Sequence, residues 1–244
     1  MNIFQVVKSL FKAQSQSQSA GALEFDDSAV CHDAQMALFT AYSTEHLTGT
    51  EEESKKLLEH FGDFYAFLYL PDFDKFIREE VLLFREPAGH HLTFLDKYHW
   101  TEKHPFNFPG PFYSGASDTC GTGVWEAPKN VMNDANCCEY VFKQPTNYHE
   151  LLCVLDAAAV EIFDNCSSNG NNYWTYELCK NWWRNKDQLL NDLMCAEVAK
   201  MNNGQERLYI EYLHGLAEID LRRYCYFLET GVFPQGENVV LPKL

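Results

Sequence analysis

Apolar residues recur at helical spacing along most of this chain, and that spacing fails in one long central stretch. Ile3, Val6, Val7, Leu10 and Phe11 fall on one face of a helix and predict a short amphipathic helix at the start. The polar run QSQSQSAGA after it has too little apolar surface to pack and reads as a tether. Residues 1–20 are therefore expected to form a helix and tether, and residues 21–244 a single globular domain.

Within that domain residues 33–84 carry a helical pattern. Asp33 can cap AQMALFTAYSTEHL, and Thr50 with Glu53 forms a capping-box signature before SKKLLEHFGDFYAFLYL. Pro71 ends that run, and DFDKFIREEVLLF predicts a further helix with Phe73, Phe76, Ile77 and Leu83 as its buried stripe. From 85 to 145 the pattern turns irregular, with most of the prolines and much of the histidine and aromatic content. HHLTFLDKYHW and CEYVFKQP alternate as short strands do, and HPFNFPGPFYSGASDTCGTG is expected to be ordered loop anchored by its aromatics.

Helical spacing returns over 146–231. Asn147 and Glu150 suit the start of YHELLCVLDAAAVEIF, where Leu151, Leu155, Ala158 and Ile162 share a face. NCSSNGNN reads as a turn, Thr175 caps YELCKNWWRN, and KDQLLNDLMCAEVAKM runs to an Asn-Asn-Gly stop. QERLYIEYLHGLAEIDLRRYCYFLETG predicts one long helix closed by Gly231. The fold class expected is α+β and predominantly helical: helical N- and C-terminal parts around a loop-rich middle with a few short strands.

Charge narrows the function. The 19 basic residues face 35 acidic ones, a net charge of −16, and between Gly21 and Glu80 there are 14 acidic residues against 4 basic. A field of this sign opposes binding to nucleic acid and to anionic membrane surfaces, since both require cations to displace counterions. No apolar run reaches the length of a spanning helix. The nine cysteines are an odd number, Cys137 and Cys138 are adjacent, and no secretory pattern precedes them, so reduced thiols in a cytoplasmic protein are expected.

Candidate chemistry gathers in YSGASDTCGTGVW, residues 113–125. Cys120 beside Gly121 and Gly123 could be a thiol nucleophile with backbone amides for an oxyanion, served by His90, His91, His99, His104 or His149. Asp118, two residues away, works against a lowered thiol pKa. GTG lacks the lysine and hydroxyl of a phosphate-binding loop. Turn chemistry explains the stretch better: Ser117 and Asp118 bond nearby amides, and the glycines supply positive φ. Cys120, Cys137, Cys138 and the histidines carry metal-ligand atoms, but neither C-x-x-C nor helical histidine spacing is present, so no metal and no cofactor is expected. Glu126 beside Trp125 could be a carboxyl with a raised pKa, and Asp118 could be its partner. Trp182 and Trp183 sit about 100° apart on one helix, so one can pack while Trp183 anchors an interface.

The profile is that of an acidic, cytoplasmic, non-catalytic chain that binds another protein, with Glu51, Glu52, Glu53, Asp72, Asp74 and Trp183 as its binding residues. The partner expected is a basic protein; an immunity protein neutralising a bacterial toxin fits this profile. Two alternatives make other demands: a small enzyme working through Cys120 or a nearby histidine, and an adaptor docking through its N-terminal helix.

Overall fold

The computed structural model describes residues 50–85, 95, 99–116, 121–161, 163–236 and 239–244, nearly all of one compact unit, Gly49–Leu244. The N-terminal helix and tether, the helix expected from Asp33, residues 90–94 and 96–98 of the first expected strand, Ile162, and Cys120 with its neighbours Ser117 and Asp118 lie outside the described residues. The fold is α+β and mostly helical, with two short two-stranded sheets among the described residues.

Residues 50–61 form helix α1, which ends where Gly62 adopts φ +76°. Asp63 then caps α2 (Phe64–Leu68), its carboxylate accepting from the Ala66 amide at 2.8 Å. The run expected to continue unbroken to Pro71 is thus two helices, divided by a glycine that supplies a left-handed turn at no steric cost. Helix α3 is built from Phe73–Phe76, a π-helical turn at Ile77–Val81, and Leu82–Arg85. The π turn widens the helix by one residue and rotates the turn after it. Val81 and Leu82 therefore point inward and Leu83 is left 40% exposed, correcting the expected stripe.

The C-terminal half follows its caps closely. Asn147 accepts from the Glu150 amide at the start of α5 (Tyr148–Val160), and Thr175 accepts from the Leu178 amide at the start of α6 (Tyr176–Arg184). Two expected long helices are each divided. One becomes α7 (Lys186–Leu193) and α8 (Ala196–Met201), and the other α9 (Glu206–His214) and α10 (Ala217–Thr230), with Gly231 left-handed beyond it. Helix α5 is buried on nearly every side, so its pattern reads as continuous rather than striped.

In the middle, β1 (Tyr113–Ser114) pairs antiparallel with β4 (Cys166–Ser167), and β2 (Val131–Asn133) with β3 (Glu139–Val141), while Gly123–Glu126 forms a one-turn helix, α4. The β2–β3 ladder separates two cores. Val131 and its partner Val141 join α1, α2, α3 and α5 in one, with Phe67, Phe73, Leu151 and Leu155 at its centre. Met132 and its partner Tyr140 face the other, with Leu193, Tyr209, Leu221 and Tyr224 from the C-terminal helices. Alternation along a strand sends neighbouring side chains to opposite sides, so three residues per strand serve both cores.

The loop expected to be ordered is buried: residues 107–115 are shielded throughout. Phe108 enters the C-terminal core and Phe112 the N-terminal one. Backbone this deep must find the hydrogen bonds that the short β1–β4 pairing does not supply. Two side-chain amides supply them. Asn107 donates to the His104 and Ser114 carbonyls and accepts from the Ser114 and Val141 amides. Gln144 accepts from the Phe112 amide and donates to the Phe108 and Phe112 carbonyls.

Candidate functional site

The exposed charge of residues 50–85 is set by where the arginines go. On α3, Arg85 turns inward to bind Glu53 through Nε at 2.8 Å and Nη2 at 3.2 Å, and Asp156 of α5 through Nη1 at 2.8 Å. Burial disfavours its charge, but Asp156 and Glu53 outweigh that and raise its pKa. Arg78 bonds Asp74 at 2.8 Å, and Asp74 also accepts from Ser168 Oγ at 2.7 Å. Both cations are therefore engaged within the fold.

What remains outside over residues 50–85 is Glu51, Glu52, Glu59, Asp63, Asp72, Glu79 and Glu80, all exposed, against exposed Lys55, Lys56 and Lys75. Lys75 already lies 3.7 Å from Glu79. Of the acidic binding residues expected from sequence, Glu51, Glu52 and Asp72 reach solvent. Glu53 and Asp74 do not belong to that exposed set: the first is half-buried on Arg85, and the second is 7% exposed and held between Arg78 and Ser168. Trp183 is half-buried with Lys186 Nζ 4.7 Å from its ring centroid, while Trp182 packs edge-on to Phe108 and donates to the Pro105 carbonyl.

The described part of the glycine-rich stretch shows turn and packing chemistry. Gly121 has φ +66°, and a Cβ at Gly123 would lie 3.1 Å from the Glu139 carboxylate, which accepts from the Val124 amide at 2.9 Å. Glu126 is buried. Across from this turn, Asp134 organises the β2–β3 connection. Its Oδ1 accepts from the Asn136 and Cys138 amides, and its Oδ2 accepts from His104 Nε2 at 3.3 Å. Burial raises the Asp134 pKa, yet these bonds outweigh it and hold the carboxyl below its usual range.

His104 is fully engaged. Nδ1 accepts from the Phe106 amide at 3.1 Å, which leaves Nε2 to carry the proton it gives Asp134. A ring with both nitrogens used and 4% exposure is not placed to take a proton from a substrate. Burial lowers its pKa, with Asp134 opposing. An unfolded histidine takes up a proton near pH ~6.5 while the folded one resists, so stability is full above that pH and falls as the pH drops below it. The thermal midpoint is expected to decline more steeply between pH 7 and 5 in the wild type than in His104→Gln; equal slopes would exclude His104 as the cause.

The seven described cysteines are unbridged. Burial pushes the Cys153 thiol up to about 12 and raises those of Cys166 and Cys179, the opposite of activation. Among the described residues no three His, Cys, Asp or Glu side chains are placed to hold a metal ion, and no helix is long and apolar enough to cross a membrane. A cleft of about 420 Å³ between α10 and the C-terminal segment is lined by Arg222, Arg223 and Lys243. Arg222 donates to the Pro242 and Leu241 carbonyls and so ties that segment down.

Sequence reasoning missed the His104–Asp134 pair and the placing of Lys103 against Trp100 and Trp174, because His104 and Asp134, like Trp100 and Trp174, come from segments that no spacing rule connects. The chain matches no family model, and neither a curated protein nor a solved structure resembles it significantly.

Proposed function

We infer that this protein is a non-catalytic binder that captures a basic protein through the outer face of α1–α3, as an immunity protein captures a toxin. The observation that carries this reading is the inward turn of Arg78 and Arg85, which leaves seven carboxylates against three lysines on the outside of that segment. Such a face raises the rate at which a cationic partner finds the surface and favours one orientation of approach. The unbridged thiols among the described residues fit the reducing, cytoplasmic setting that this reading requires.

The test is co-expression with the product of the adjacent reading frame, followed by association kinetics at low salt. A stable complex is expected. Glu51→Lys combined with Glu52→Lys should slow association about tenfold while changing dissociation little. An unchanged association rate would remove this face as the docking surface, and absence of a complex would remove the immunity reading.

A further inference from the structure

In a chain with 35 acidic residues, a lysine has many carboxylates to choose from. Lys103 pairs with none of those described. Its ammonium lies instead 4.6 Å from the ring centroid of Trp100 and 5.5 Å from that of Trp174. The two indoles meet at 89° with centroids 5.1 Å apart and form a corner. Lys143, Lys180 and Lys186 each sit over one ring only.

The walls of the corner are fixed by the backbone. Trp100 opens a 3-10 turn at Trp100–Glu102 and Tyr173 stacks on its ring at 5.1 Å. Trp174 is 5% exposed and its amide donates to the Gly170 carbonyl. Tyr113, wholly buried, meets Trp100 edge-on. The Lys103 backbone is bridged to Gly115, so the part free to move is its four-carbon stem.

The chemistry of the corner does not suit its occupant. A primary ammonium carries three N–H donors, and the rings accept none of them as water would. Desolvation accordingly lowers the Lys103 pKa, and the negative ring faces attract the cation without solvating its N–H groups. A cation without N–H groups gains the same attraction and forfeits no hydrogen bonds. We propose that the Trp100–Trp174 corner is a binding site for a quaternary ammonium ion, with Lys103 as its resident, displaceable occupant.

Tetramethylammonium is the probe, read by tryptophan fluorescence at constant ionic strength and by the Lys103 ε-methylene resonances, which the rings shift upfield. In the wild type, saturating tetramethylammonium should return those resonances toward their free-lysine position. Lys103→Ala should bind the ion about tenfold tighter, if the lysine fills the corner roughly nine times in ten. Adding Trp100→Leu to that variant should abolish the response. Lys103 resonances that stay in place would overturn the proposal, as would a folded Lys103→Ala protein with no saturable response. If Lys103→Ala fails to fold, displacement in the wild type decides alone.

Discussion

Replacing Asn107 by alanine should lower unfolding stability by about 2–5 kcal/mol, because it leaves two buried amide N–H groups with no acceptor. Those groups belong to Ser114 and Val141, which donate to Asn107 Oδ1 at 3.1 and 2.8 Å. The loss falls on them alone. The His104 carbonyl still accepts from the Asn107 amide, the Ser114 carbonyl still accepts from the His104 amide, and Ser114 Oγ still donates to the Glu139 carbonyl. The side chain is 1% exposed, so water has no route to the vacated positions short of local opening. Urea unfolding measures the effect, with a lowered midpoint and an unchanged dependence on denaturant. A loss under about 1 kcal/mol would mean that the loop finds other partners and that Asn107 is not its clamp.

Gly170→Ala should be as damaging for a different reason. A Cβ there would lie 2.1 Å from the Gly110 carbonyl oxygen and 2.9 Å from that of Pro111, and both obstacles are backbone. The Gly170 amide donates to the Pro111 carbonyl at 2.9 Å, so the two chains cannot separate without losing that bond. Overpacking against immovable neighbours costs about 3 kcal/mol. Gly231→Ala is the internal control: its φ is +74° and nothing lies within 4 Å of the added carbon, so only the backbone strain of about 1 kcal/mol applies. Gly170→Ala should therefore have the lower thermal midpoint of the two, and a reversal would show that the 110–170 contact is loose.

How far the sequence could be read depends on the range of the forces involved. Asn147 and Thr175 were legible because a cap bonds an amide three residues ahead, inside any reading window. The divided helices were harder. Gly62 and Gly215 lie within convincing apolar periodicity, and only packing decides whether a glycine is tolerated or breaks the run. The π turn at Ile77–Val81 leaves no local signature, so Leu83 was assigned to the core by a period that the helix does not keep. The acidic outer face was half legible. Composition located it, but the engagement of Glu53 by Arg85, 32 residues away, and of Asp74 by Ser168, 94 residues away, depends on tertiary structure. The buried loop was recognisable as ordered from its phenylalanines. Nothing local distinguished Asn107 as the residue on which that order depends.

The short β2–β3 ladder has a consequence for how the molecule must be assembled. With Val131 and Val141 on one side and Met132 and Tyr140 on the other, a slip of a single residue would exchange the contents of the two cores. Three pairs are too few to guard against such an error by themselves. Asp134 fixes the connection from within, and a second safeguard comes from outside the hairpin, where Asn202 accepts from the Asn133 amide at 2.9 Å and donates to the Asn133 carbonyl at 2.7 Å. Correct pairing near the middle of the chain is thus tied to a residue about seventy positions downstream, so the register of the hairpin and the packing of the C-terminal helices are coupled.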